Sequence, residues 1–422
     1  MLEHHPERIK EEKCINDVIF ISISNLKQCD YAIRKADLII GMLPAPVLLN
    51  VTERCIAHGK SLITPWTINP QRLTGKPRLE ENKSLILMEC GFSPGLDHVT
   101  ARKAIDTIQS KGGNISSFKT YSGSVIASDC MDNPWEFKLT EPAREIINLG
   151  KHNNRHLIHG QIQHVPYNQL FARGESITIP GLDNAIAIPE GDALYYQKIY
   201  GLTGADTVVK GKIMRNGFEQ IWNLIIKLGL TDTQSNIEMK EATSFYNFLN
   251  SLLPYSESET LEHRLMKYLD AEMQDIQKLK WLGLFDKEWI NGKVLTSAAI
   301  LQHLLEDKLS LKTEDKDCVV MQHQLEYKHR DVQYSFEATL VAEGENKYDS
   351  AIAKAIGLTI GAAAKAFMLG NIKLKGLQIP TTKEIYDPVL QELDELGVAF
   401  HFNEKKVYEP ENQDVNYNHN LN

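Results

Sequence analysis

The chain has 422 residues, 42% apolar and 24% charged, the balance of a globular protein with room for two or three domains. A net charge of −9 and the lack of any basic run argue against nucleic acid or an anionic membrane as partner. The cysteines (Cys14, Cys29, Cys55, Cys90, Cys130 and Cys318) form no Cys-x-x-Cys pair. Reduced thiols in the cytoplasm are therefore expected, and the charged opening stretch 1–13 has no apolar core that would make a signal peptide.

Strand and helix alternate through the first quarter. Short apolar runs at 18–23, 37–43, 61–64 and 85–88 read as strands, and a helix between the second and third starts at Pro46 and stops at Gly59. Buried runs separated by helices predict an α/β fold with a doubly wound parallel sheet. Such a sheet should open on a Gly-x-Gly-x-x-Gly turn, because only glycine backbones let a pyrophosphate approach a helix N-terminus. No such turn occurs in this sequence. The expectation is a partial Rossmann-type domain over 1–92, truncated before its first glycine-rich turn.

A helix is predicted from Asp97 to Lys111, stopped by Gly112-Gly113, and then a strand over 115–121. Residues 130–178 read as irregular. Helix-spaced apolar positions at Trp222, Ile225 and Ile226, and again at Ala298, Leu301, Leu304 and Leu305, mark 217–317 as a helical insertion. Alternation over 319–327 and 332–341 predicts a hairpin with one buried face. The Ala-rich run 350–369 is long, but Lys354 and Lys365 interrupt it, and it reads as a packed helix rather than a membrane span. A last short helix is expected at 388–396 and a flexible tail at 409–422.

The stretch Glu89-Cys90-Gly91-Phe92-Ser93-Pro94-Gly95-Leu96-Asp97-His98 joins a strand, a turn and a helix start. It resembles the Glu-x-Gly-Leu-Asp-Pro-Gly-x-Asp-His signature of saccharopine dehydrogenases of the L-glutamate-forming type. Gly41-Met42-Leu43-Pro44, Asp132-Asn133-Pro134-Trp135-Glu136-Phe137-Lys138, and Lys210-Gly211-Lys212 through Asn216-Gly217-Phe218 resemble further family motifs in the same order. The resemblance implies an α/β substrate domain over 93–216 and 318–398. It implies an NAD(P)-linked oxidoreductase acting on the CH–NH bond of an amino-acid-derived secondary amine, with NAD or NADP as cofactor and an amino-acid-derived small molecule as partner. A homodimer is left open. The rival reading is a catalytically silent paralogue that serves binding or assembly.

By the same resemblance Met42, Leu43, Pro44, Thr64 and Pro65 lie along the dinucleotide. Ser93, Asp97, His98, Ser122, Gly123, Asn133, Lys138, Arg144 and Arg215 line the substrate pocket. The pattern departs from the family at several of these places. Ser93 stands where the family has Asp, Ser122 where it has Cys, and Pro189-Glu190-Gly191-Asp192 where it has Asn-Arg-Asp-Ser. An arginine there grips a carboxylate, whereas an acid repels one. Beside Pro94, Ser93 itself reads as a turn position tolerant of Asp. His152, His156, His159 and His164 are closely spaced, but no Cys or carboxylate completes a ligand set, so no metal is assigned.

Overall fold

The computed structural model describes residues 25–73, 84–238, 243–290 and 294–407. The expected strand at 18–23 and the expected tail at 409–422 lie outside them. The chain forms two compact units. Among the described residues one comprises 25–104, 313–319 and 342–399, the other 105–312, 320–341 and 400–407.

The first unit is built on a parallel sheet in the order β1 (Ile39–Ile40), β2 (Leu62–Ile63), β3 (Leu85–Leu87) and β14 (Gly376–Gln378). Its strands are short, and β2 and β3 are wholly buried, so they carry continuous apolar runs rather than alternation. The helix Ala45–His58 crosses from β1 to β2 with two prolines in its opening turns and Gly59 at φ 66° as its left-handed stop, where a Cβ would be strained. Ile33, Leu48, Cys55, Ile56, Leu62 and Ile86 close the core on one side.

The Ala-rich helix Ala351–Met368 is long and apolar enough, by length and composition, to cross a membrane. Here it packs on the helix Lys383–Glu395 and on β2, burying Ala355, Thr359, Ile360, Ala362, Ala363 and Ala366. Ser350 and the buried Asp317 cap its first turn: Asp317 accepts from the N–H groups of Ala351 (2.6 Å) and Ile352 (2.9 Å).

The second unit centres on a nine-stranded sheet. β15 (His401–Val407), β13 (Val332–Glu343), β12 (Asp317–His329), β4 (Asn114–Ile126), β9 (Thr207–Arg215), β5 (Arg155–Ile158) and β6 (Gln161–His164) follow one another. β8 (Leu182–Pro189) adds to the far half of β9, and β7 (Glu175–Ile179) adds to β8. The helices of 218–309 form one apolar core with Trp135, Phe137, Phe218 and Trp222, and the last two rings stack at 5.1 Å. A two-stranded ribbon, β10 (Asn236–Glu238) with β11 (Val294–Thr296), sits within that segment.

Two expectations change, and one strand had no expectation to meet. The span 130–178 is not irregular: it holds the helix Ala143–Asn148, β5, β6 and the start of β7. Strands of four residues are too short for a period to show. β15 escapes sequence reading because all seven of its residues are exposed, so no apolar face marks it. The helix expected at 388–396 begins at Lys383 and runs through Pro388. Ile385, Val389 and Leu393 recur every four residues on its buried side, and that burial outweighs the hydrogen bond lost at the proline.

Candidate active site

The Glu89–His98 stretch folds into a tight knot at the carboxyl end of β3. Gly91 N–H donates to the Pro94 carbonyl (3.0 Å), and Leu96 and Asp97 donate back to Gly91 (2.9 Å) and Phe92 (3.2 Å). The close approach fixes the residue types. A Cβ on Gly95, at φ 143°, would lie 2.1 Å from the Gly91 nitrogen. One on Gly91 would lie 2.8 Å from Pro65.

Asp97 sits at the centre, 1% exposed. Its Oδ1 accepts from the N–H groups of Gly95 (2.6 Å) and His98 (2.8 Å), and its Oδ2 accepts from the Ser93 hydroxyl (2.8 Å). Ser93 is therefore not the tolerant turn position expected from its place beside Pro94, since its hydroxyl is a partner of the buried carboxylate. His98 is fully buried, and its Nε2 meets Glu89 Oε2 at 2.8 Å. Glu89 is held at φ 56°, which costs a non-glycine residue about 1–2 kcal/mol. Such strain gathers at functional sites. Burial pushes the neighbouring Cys90 thiol up to about 12, so it is protonated at neutral pH and no nucleophile. Glu89 was not among the expected site residues, although it heads the motif in the sequence.

The loops after β1 and β2 stand at the same carboxyl edge of the parallel sheet, where open α/β sheets bind ligands. Thr64 is a clasp: its hydroxyl donates to the Gly41 carbonyl (2.7 Å) and accepts from Trp66 N–H (3.3 Å). Met42 and Trp66 remain about half exposed, at 56% and 46%, and Pro44 is exposed beside them. Met42, Leu43 and Pro44 give this edge an accessible apolar strip, whereas Thr64 and Pro65 are buried beneath it. Among the described residues no glycine-rich turn is present to take the pyrophosphate.

In the second unit Ser122 and Gly123 lie in β4, and Gly123 packs so closely on β9 that a Cβ would come within 2.2 Å of the Ile213 carbonyl oxygen. Asn133 closes its own turn, donating to the Phe137 carbonyl and accepting from Trp135 N–H, both at 2.9 Å. Lys138 is buried, with its ammonium 2.9 Å from Asp132, whose other oxygen takes Lys312. Arg215 reaches the carbonyls of Ile126 (2.9 Å) and Asp183 (3.1 Å) and the Ser128 hydroxyl (3.0 Å). Arg144 is exposed on its short helix. The structure thus gathers Ser93, Asp97 and His98 into one site with Glu89, while Lys138 and Arg215 direct their charge to the protein's own groups. Among the described residues no three His, Cys, Asp or Glu side chains converge as metal ligands.

The family of the saccharopine dehydrogenase C-terminal domain matches residues 91–398. The chain belongs to the saccharopine dehydrogenase family. It is 29% identical over 380 residues to the mitochondrial alpha-aminoadipic semialdehyde synthase of Mus musculus, spanning 87% of this chain and 40% of that protein's length. It is 25% identical over 392 residues to the saccharopine dehydrogenase [NADP(+), L-glutamate-forming] of Pyricularia oryzae, covering 89% of this chain and 86% of the relative. The solved apo saccharopine dehydrogenase (L-Glu forming) of Saccharomyces cerevisiae shares the fold. Its TM-score is 0.81 at 24% identity, over 92% of this chain and 89% of that one. The α/β architecture read from the strand spacing is that of this family.

Proposed function

We propose that this protein is an NAD(P)-linked oxidoreductase that acts on the CH–NH bond of an amino-acid-derived secondary amine of the saccharopine type. The observation that carries the reading is the buried Glu89–His98 pair beside the Asp97 knot, at the carboxyl edge of the parallel sheet. When bound, the nicotinamide supplies or accepts a hydride. The chain's own part is to orient and to hold protons. Asp97 locks the turn through three hydrogen bonds, and Glu89 fixes the orientation of the His98 ring through its contact with Nε2. In this reading the substrate-binding segments are 93–216 and 318–398, of which 342–398 pack with the parallel sheet, with Ser122 facing the substrate and Arg144 as an accessible carboxylate anchor. A homodimer in the cytoplasm completes it. The free thiols of Cys29, Cys55, Cys90, Cys130 and Cys318 suit a reducing compartment.

The test is nicotinamide absorbance with saccharopine and NADP or NAD, using the full chain. Turnover that falls at least tenfold in His98→Asn, with cofactor binding retained, supports the proposal; no turnover with either cofactor defeats it.

A silent paralogue is the second reading, and one observation favours it. Glu190 stands at the family's arginine position, and the Arg215 guanidinium is engaged by backbone carbonyls. Calorimetric binding of saccharopine with no turnover in the absorbance assay selects this reading.

A further inference from the structure

A cavity of about 660 Å³ lies within the second unit on one face of its large sheet. Its floor is Lys119 and Tyr121 of β4, Thr207 and Val209 of β9, and His156 of β5. Side chains alternate along a strand, so these β4 residues face away from Ser122, which shares its side of the sheet with Phe118 and Thr120. The cavity is thus separate from the pocket proposed above. Its volume falls within the range of small-ligand sites.

Its lining holds polar groups that lack partners. His156 is 1% exposed; the Pro189 carbonyl lies beside its ring, but neither ring nitrogen reaches a partner in hydrogen-bond geometry. Buried imidazoles are ordinarily paired, so one left open beside a cavity points to a ligand. Burial keeps its pKa below the usual histidine value, against the pull of Glu190 and the Pro189 carbonyl, so the neutral ring offers one donor and one acceptor. Lys119 is half-buried and has no ion pair among the described residues. Arg173 flanks it and spends one contact on Gln169 (3.2 Å). Carboxylates line the cavity as well. Glu175 and Glu326 line the same cavity without a salt bridge among the described residues, while Asp206 already accepts from Thr207 (2.9 Å). Cations and carboxylates that share a cavity without neutralising one another suit a ligand carrying both signs.

We propose that this cavity binds a free amino acid as its zwitterion, the carboxylate on Lys119 and Arg173 and the ammonium on Glu175. His156 meets the ligand's remaining polar atoms after a small adjustment of its ring.

The test is calorimetric titration of the full chain with L-lysine and with L-glutamate, and with acetate and methylammonium as single-charge controls. Saturable binding of at least one amino acid and of neither control is expected. Lys119→Met and Glu175→Gln should each weaken it about tenfold or more, the effect of removing one charge-assisted contact. The exposed Glu175 serves if the Lys119 variant does not fold. The His156 ring resonances, assigned with His156→Gln, should shift as the ligand is added. No saturable binding, equal binding of a control, unchanged affinity in both variants, or loss of binding in Ser93→Ala instead would overturn the proposal.

Discussion

Glu89 and His98, nine residues apart, meet at 2.8 Å with side chains 3% and 0% exposed. The chain turns between them through Gly91 and Gly95, and the pair ties the end of β3 to the first turn of the following helix. A buried pair of this kind adds little net stability, but breaking it leaves an unmatched buried group. Glu89→Leu should therefore lower the unfolding free energy by about 3–5 kcal/mol. Glu89→Gln, which can still hydrogen-bond the ring, should cost about 1 kcal/mol. Urea denaturation of the two variants measures the difference; equal losses would mean the pairing is not what matters.

Gly95→Ala should destabilise the protein by more than about 2 kcal/mol. The new methyl would lie 2.1 Å from the Gly91 nitrogen, in backbone that cannot yield without opening the knot. Gly160→Ala is the control for positive φ alone, because nothing lies within 4 Å of its Cβ position. It should cost only about 1–2 kcal/mol. Thermal melts of both variants against the parent check the order.

Ser93→Asp replaces a hydroxyl that donates to Asp97 at 2.8 Å with a second carboxylate beside the first. Like charges so close raise the folded pKa of one above its unfolded value. Stability is then retained below the unfolded pKa and lost as pH rises through the folded one. The melting-temperature gap between variant and parent should be small near about pH 4 and widen toward about pH 7. A gap independent of pH would count against the contact.

Lys312 and Lys138 hold the Asp132 carboxyl down to about 2. A lowered folded pKa contributes stability above the unfolded value of 3.8, and that stability is lost as pH falls toward about 2. The Asp132 side chain is 43% exposed, so solvent screening reduces the effect to about 1 kcal/mol. Urea midpoints of the parent and Asp132→Asn should differ at about pH 6 and converge near about pH 2. Divergence maintained at the acid end would contradict the pairing.

Cys55 and Cys90 are buried, and burial pushes both thiols up to about 12. Among the cysteines of the described residues, iodoacetamide on the native protein should modify the half-buried Cys29 and Cys130 first, with Cys55, Cys90 and Cys318 reacting only on unfolding. Peptide mass mapping over time reads the order. Early loss of the Cys90 thiol would show that the knot opens in the native state.

The sequence by itself determined the parallel strands β1 to β3, the Gly59 stop and the helical segment after Gly217. Each is a matter of local pattern: an apolar run, a left-handed glycine, a period of 3.6. It also determined the family, because Pro94, Gly95, Asp97 and His98 keep their spacing along the chain. The tertiary structure decided the rest, since partners far apart in the sequence leave no local mark. Nothing near Lys138 in the chain says that Lys312 shares its carboxylate, nor near Arg215 that Ile126 and Asp183 present their carbonyls to it. β14 joins the parallel sheet from nearly 300 residues beyond β3, and a three-residue strand carries no period to announce it. Ser93 reads as a free turn residue until folding places its hydroxyl on Asp97, and whether a polar side chain reaches solvent or a buried partner is settled only by what the fold packs around it.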